Sequence, residues 1–207
     1  MRAWAWAAAV IDLTVVFVLG ALSPGHDMAW DYISTLGQTG APLWGWYVLG
    51  ACAAAVAHLG FYHALWPHAK TTRAGIVSIG LLTGFALAHW AAAAWFPCDP
   101  GCDRITTSGH VHYSLGFAAF ITYAAGTAAF SVHAGRRAWP VHAAAGLVLA
   151  GSIFLLVADL TSVMRGVAER TTVVALAVWM VVVAHTSRTR DATVGWEDPP
   201  RMAAEEA

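Results

Sequence analysis

The chain has 207 residues, of which 58% are hydrophobic and only 11% are charged. A typical soluble domain carries about 25% charged residues, so this composition argues against an ordinary soluble protein. The net charge of −1 provides no basic surface for binding nucleic acid. Six membrane helices of about 20 residues each would account for the apolar fraction.

Hydropathy predicts six membrane-spanning helices, separated by polar stretches that contain glycine or proline. The predicted spans are 3–22, 44–66, 75–96, 111–132, 141–164 and 171–187. The expected fold class is therefore an all-α integral membrane protein, a six-transmembrane-helix bundle over residues 1–187. Residues 188–207 mix charges with Pro199 and Pro200, which predicts a disordered cytoplasmic tail.

Basic residues predict the orientation of these helices. Six spans place both termini on one side of the membrane, and that side carries eight of the eleven basic residues: Arg2, Lys70, Arg73, Arg136, Arg137, Arg188, Arg190 and Arg201. Arginine and lysine concentrate in cytoplasmic loops. We therefore expect a cell-membrane protein with cytoplasmic termini and outer loops at 23–43, 97–110 and 165–170.

The first outer loop contains a predicted short helix over 24–36. Ser23 before a proline suits a helix start, and Gly37 suits a helix end. In such a helix Asp27, Asp31 and Ser34 would share one polar stripe. That stripe is either a solvated acidic face or one wall of a pocket.

The second outer loop contains two of the three cysteines, Cys98 and Cys102. Asp99-Pro-Gly-Cys102 is typical of a β-turn, which would bring the two cysteines together on the oxidising side of the membrane. We expect a disulfide here. The alternative is a metal site that adds His110 and His112, although the spacing matches no standard zinc motif.

Ionisable residues within the spans mark the expected site, because each is costly in lipid and should face the bundle interior or a cavity. His89 and Asp159 lie about 10 Å and 7 Å below the outer helix ends at 1.5 Å per residue. With the loops, they predict an outer pocket built from Asp31, Ser34, His89, Asp99, His110, Asp159, Glu169 and Arg170. Glu169 and Arg170 are expected to hold the loops together, and Arg165 is spaced to pair with Glu169.

Histidines also occur in the inner half of the spans, at positions 58, 63, 68, 133, 142 and 185. Most lie near helix ends, where such side chains are commonly interfacial. His58 is deeper and requires a partner that the sequence does not identify.

Three motifs carry a resemblance to a known family. Asp31-Tyr-Ile-Ser-Thr-Leu-Gly37, Phe96-Pro-Cys-Asp99 with His110 opening the next span, and Gly166-Val-Ala-Glu-Arg170 resemble the outer-loop signatures of domain-of-unknown-function family 998. The layout is more distantly similar to the DRAM and FRAG-type six-span proteins of eukaryotes. That group is associated with lipid-anchor remodelling and membrane trafficking, so the resemblance implies a lipid-related role by analogy.

The first functional hypothesis is a lipid-binding or lipid-modifying pocket, with membrane lipids as partners. In a hydrolytic version Ser34 is the nucleophile, His89 or His110 the general base, and Asp31 or Asp159 the orienting acid. A second version uses zinc held by His110, His112 and Asp99 to activate water.

Two alternatives use other residues. A haem or redox protein would ligate haem through His89 with His112, or through His58 with His142 or His185. A small proton-coupled transporter would use Asp12 and Asp159, since buried acids mark ion paths. These hypotheses leave open whether the protein is an enzyme.

Overall fold

The computed structural model describes residues 1–136 and 138–191, and within them the fold is all-helical. Six helices are long and apolar enough to cross a membrane, as the sequence predicts. They are α1 (Arg2–Leu22), α2 (Trp44–Ala69), α3 (Arg73–Trp95), α4 (Thr107–Ala134), α5 (Trp139–Thr161) and α6 (Arg165–Asp191). The predicted disordered tail lies outside the described residues from position 192 onward.

Helix α6 begins six residues earlier than hydropathy predicts. Ser162 and Met164 adopt positive φ angles, which end α5 and reverse the chain within a few residues. Glu169 and Arg170 therefore lie inside the first two turns of α6 and not in a preceding loop. A hydropathy window misses these turns because they are polar.

The helices form a closed ring. Each packs against its neighbour in the chain, and α1 also packs against α6. Among the neighbouring pairs, α4 and α5 make the sparsest contact. Both described chain ends lie at one end of the ring, the terminal end; the other, the loop end, carries the loops 23–43 and 96–106.

The terminal half of the bundle is filled by aromatic side chains. Trp179 of α6 is fully buried, and its ring meets the edges or faces of Phe61, Tyr123 and Phe130 with centroids 5.7 to 6.3 Å apart. Contacts of this kind stabilise a bundle through close packing. Lipid tails are as apolar as these side chains, so the hydrophobic effect adds little to helix association in a membrane.

The first loop is not the helix predicted over 24–36. Two turns precede a short 3₁₀ helix at Ile33–Gly37, and Gly25 has a φ of 76° that an α-helix does not accept. Asp27 Oδ1 accepts from the amides of Ala29 and Trp30, while Asp31 Oδ2 accepts from the amide of Asp27. Aspartate side chains that bind nearby amides compete with a helix in this way, so the predicted stripe does not form.

Candidate functional site

A cavity of about 320 Å³ lies at the loop end, between α4 and α5. This volume is near the lower end of the roughly 300–1,000 Å³ typical of ligand pockets. The cavity is open sideways, since Phe117, Ile121, Ile153 and Leu156 both line it and remain exposed on the outside of the bundle. In a membrane, that opening faces the lipid.

The long walls of the cavity are apolar apart from Ser152, whose hydroxyl donates to the Val148 carbonyl of its own helix, and the ionisable groups gather at one end. Beyond the four side chains at the opening, the walls include Ala92, Gly116, Phe120, Ala124, Leu149 and Leu155. The polar end includes Tyr32, Ser34, His89, Cys102, His112, Tyr113, Asp159 and Glu169. The cavity is therefore amphipathic along its length.

Asp159 is the centre of the polar end. It accepts hydrogen bonds from the hydroxyl of Tyr32 and from that of Tyr113, the latter at 2.7 Å. The guanidinium of Arg165 lies 4.8 Å from the ring centre of Tyr32, and that of Arg104 lies 4.1 Å from the ring centre of Tyr113. A half-buried carboxylate thus lies between two tyrosines, and each tyrosine ring is covered by a guanidinium.

Tyr32 lies outside the membrane helices, and its surroundings favour the neutral phenol. Burial, followed by the hydrogen bond to Asp159, raises the pKa of Tyr32 well above its ordinary value. The hydroxyl therefore remains a donor at neutral pH and holds its bond to the carboxylate.

Glu169 and Arg170 fasten the first loop to α6. The Glu169 carboxylate accepts from the backbone amide of Ile33. Arg170 donates from Nη1 to the carbonyl of Asp31 at 3.1 Å, and its Nη2 lies 2.7 Å from Nε2 of His26. The predicted structural role of both residues agrees with these contacts, whereas the predicted pairing of Arg165 with Glu169 is replaced by the stacking on Tyr32.

The second loop adds two sulfur atoms to the polar end. Cys98 and Cys102 form the predicted disulfide. Ser34 Oγ lies 3.2 Å from Cys102 Sγ, and the Ser34 carbonyl lies 3.3 Å from Cys98 Sγ. An imidazole nitrogen of His112 lies within 4.8 Å of both sulfurs. We call these four residues the sulfur cluster.

The orientation of His112 is fixed by the backbone of α3. Its Nδ1 lies 3.1 Å from the carbonyl of Ala92 and 2.7 Å from that of Phe96. Carbonyl oxygens only accept, so Nδ1 carries a proton and acts as the donor. Nε2 is the ring nitrogen that these two contacts leave available to a metal ion or another partner. With the disulfide reduced, Cys98, Cys102 and His112 could supply three zinc ligands.

Several predicted residues are placed elsewhere. The imidazole of His110 is exposed and does not line the cavity. Residues two apart on a helix point about 200° apart, so His110 and His112 do not face one site. The Asp31 carboxylate lies 3.7 Å from His26, is about two-fifths exposed and does not line the cavity. The predicted combination of His110, His112 and Asp99 is not assembled.

Asp99 organises its own loop. Its carboxylate accepts from the amides of Ile105 and Thr106 and from the hydroxyl of Thr106, at 2.8 to 2.9 Å. The bonds from Thr106 are the main cause of the lowered pKa of Asp99. Thr106 in turn caps α4 by accepting from the amide of Gly109. Asp99 therefore positions the start of α4.

A second, smaller cavity of about 40 Å³ lies deeper in the bundle and has room for roughly two or three water molecules. It shares His89 and Glu169 with the main cavity and reaches Asp12 and His58. His58 Nε2 lies 2.9 Å from Asp12 Oδ2, which supplies the partner that the sequence left unnamed. The sequence indicated only that each of these two residues lies deep within a span.

The other inner histidines that were candidates for haem ligation contact the backbone. His142 Nε2 lies 3.0 Å from the carbonyl of Gly135, and His185 Nδ1 lies 2.8 Å from that of Val181. His58 is held by Asp12. Each of these contacts occupies a ring nitrogen.

The sequence also missed His26, Tyr32 and Tyr113, because single polar residues in loops and at helix starts give no periodic signal.

The fold and the site define a multi-pass helical membrane protein with an amphipathic cavity. Residues 6–186 match the family described as "Protein of unknown function (DUF998)". The chain belongs to this family, as its three loop motifs indicate. No curated protein and no solved structure matches the chain.

Proposed function

We propose that the protein binds a membrane amphiphile in the cavity between α4 and α5. The observation that carries this proposal is the sideways opening of a cavity whose ionisable side chains all lie at one end. An amphiphile could enter from the bilayer with its chain between the two helices and its headgroup at the loop end. The partners of the protein are then membrane lipids.

The proposal includes the expected orientation. The basic residues favour cytoplasmic termini in the cell membrane. The loop end then faces outward, and the cavity takes its ligand from the outer leaflet. A disulfide at the loop end is consistent with this side, because disulfides persist in oxidising surroundings.

The apolar walls support binding of a hydrocarbon chain. The side chains at the opening are branched or aromatic and present little polar surface. A chain lying there would replace bilayer contacts with protein contacts of similar polarity, so affinity would depend on close packing and on the headgroup.

The polar end supports headgroup binding. Arg165 does not line the cavity, but its guanidinium covers the ring of Tyr32, so its positive charge lies near a headgroup bound at this end. Glu169 and Asp159 can accept from headgroup hydroxyl or amine groups. Such groups, few and fixed in place, set specificity in an otherwise apolar pocket.

Binding is better supported than hydrolysis. A serine nucleophile needs a base within hydrogen-bond reach of its hydroxyl. Among the described residues, the hydrogen-bond partner of Ser34 Oγ is Cys102 Sγ. Neither His89 nor His110 takes that position, so Ser34 is a contact residue in this proposal and not a nucleophile.

The test is crosslinking of a photoreactive fatty acid to the purified protein in nanodiscs. Leu156→Trp places a large ring in the cavity, and we expect labelling to fall about tenfold or more. Leu160→Trp is the matched control, because Leu160 lies one turn further along α5, is 75% exposed and does not line the cavity. Equal labelling of both variants, or labelled peptides outside α4 and α5, would contradict the proposal.

A further inference from the structure

We propose that Cys98 and Cys102 form a redox centre that exchanges two electrons and two protons with a quinone bound in the cavity. This inference rests on the proposed function and names one ligand class for the same cavity. The sulfur cluster carries it, because it places a disulfide in the wall of a space that opens to lipid.

The sulfurs are reached from the cavity. Cys98 is buried beneath the backbone of Ser34, whereas Cys102 is half-buried and lines the cavity. A molecule that reacts with Cys102 can therefore approach from the cavity. Cys98 lies on the far side of Cys102, where it can form or release the disulfide.

The neighbours of the sulfurs suit both redox states. In the disulfide, the sulfurs have no hydrogen, so the Ser34 hydroxyl donates to Cys102 Sγ. In the dithiol, that hydroxyl would stabilise a Cys102 thiolate, and the Cys98 thiol could donate to the Ser34 carbonyl. The hydroxyl and the carbonyl of Ser34 therefore contact the same two sulfurs in the disulfide and in the dithiol.

His112 lies beside the reacting sulfurs. One of its ring nitrogens is within 4.8 Å of both sulfur atoms. The carbonyls of Ala92 and Phe96, at 3.1 and 2.7 Å from Nδ1, hold the ring in this place. The imidazole is therefore a fixed polar neighbour of the disulfide at the polar end of the cavity.

A quinone fits the chemistry of this space. Among amphiphiles dissolved in a bilayer, quinones accept two electrons and two protons together, which matches the capacity of one dithiol. The planar ring could lie against Tyr113 at the polar end, and the isoprenoid tail could leave through the opening at Leu156.

The reaction balances without a further reagent. Two S–H bonds break and one S–S bond forms, which releases two electrons and two protons. The quinone takes both, and its two carbonyl oxygens become hydroxyls. The reverse direction returns a dithiol and a quinone.

The experiment follows thiols and quinol in the full-length protein under anaerobic conditions. The protein is reduced, freed of reductant and mixed with a fully substituted, short-tailed benzoquinone, which has no ring hydrogen to be displaced by a thiol. We expect two thiols lost and one quinol formed per chain. Cys102→Ser should abolish quinol formation. Cys52→Ser is the matched control and should react normally, since Cys52 lies in α2 and lines neither cavity.

Access is tested separately from reactivity. Leu156→Trp should slow oxidation by the quinone about tenfold or more, but leave oxidation by a water-soluble disulfide-forming reagent unchanged. A quinone that leaves the thiols reduced would overturn the proposal, as would equal rates of oxidation by the quinone in Leu156→Trp and in the unchanged protein. One zinc bound per reduced chain without quinone reduction would also overturn it, in favour of a metal site. If fatty-acid labelling persists in these cases, only the redox inference fails.

Discussion

The space between the helices is filled differently at the two ends of the bundle. At the terminal end, aromatic rings fill the space between helices around Trp179. At the loop end, the space between α4 and α5 is left open, and hydrogen bonds from Tyr32 and Arg170 hold the surrounding elements in place. The comparison indicates that the terminal end provides stability and the loop end provides a site.

The difference also shows where polar groups are tolerated in such a bundle. Asp159 and Glu169 each have a donor from the first loop, and Asp12 has His58. These three acids within the helices are thus each held by a partner on another part of the chain, as their cost in lipid requires. The loops are part of the site because they supply these partners.

The largest expected effect on stability comes from removing the Trp179 ring at the terminal end. Trp179→Ala should lower the free energy of unfolding by about 3–5 kcal/mol, the usual cost of removing a fully buried large aromatic side chain. Reversible unfolding in mixed detergent micelles measures this. Trp95→Ala is the control at the other end, where the ring is 67% exposed, and should cost much less.

Trp179→Phe sharpens the same comparison. The indole Nε1 is buried and makes no hydrogen bond within the described residues, so its removal leaves no partner unpaired. Phenylalanine should therefore recover most of the stability lost with alanine. If alanine and phenylalanine cost the same, the aromatic packing around position 179 is not what stabilises the terminal end.

A smaller effect is expected where the two regions meet, at Asp12 and His58. Asp12→Leu, His58→Phe and the double variant form a thermodynamic cycle that isolates their interaction. Hydrogen-bonded pairs within membrane proteins typically couple by about 0.6 kcal/mol and by at most about 1.7 kcal/mol. We expect a coupling within that range from unfolding measurements, and a coupling near zero would show that the 2.9 Å contact contributes nothing.

The fold was largely predictable from the sequence because each span carries its signal locally. Six apolar runs and the cysteine turn need only neighbouring residues, and the disulfide at Cys98 and Cys102 follows from one turn. The helix expected over 24–36 from Ser23 and Gly37 did not form, because aspartate side chains bind the nearby amides. The polar start of α6 was missed because hydropathy detects apolar runs and not helices as such.

The site was predictable only in part. Ser34, His89, Asp159 and Glu169 all line the cavity, because the outer loops and the outer parts of the spans meet at the loop end. Depth does not specify rotation about a helix axis, so exposed His110 was wrongly grouped with them. The bonds from Tyr32 to Asp159 and from Arg170 to His26 join residues more than 120 positions apart, and no local pattern encodes them.

The smallest expected effect concerns pH and the first loop. Burial, followed by the positive charge of Arg170, lowers the pKa of His26 below its ordinary value of 6.5, although Asp31 and Asp27 oppose this. His26 is therefore neutral in the fold, with Nε2 facing Arg170 Nη2 and Nδ1 3.1 Å from the Thr35 hydroxyl. Protonation would set a second N–H against the guanidinium.

A base whose pKa is lowered by folding stabilises the fold above its unfolded pKa, and the contribution is lost as the pH falls below it. We expect amide protection in residues 24–36 to drop a few-fold between pH 7 and pH 5 in hydrogen-exchange mass spectrometry. His26→Gln should remove this dependence, because a glutamine oxygen can accept from Arg170 without titrating. His110→Gln changes an exposed histidine and should retain it. If His26→Gln loses protection at low pH as the unchanged protein does, the loop is not held by the neutral imidazole, and the loop end owes its order to Glu169 and Tyr32 instead.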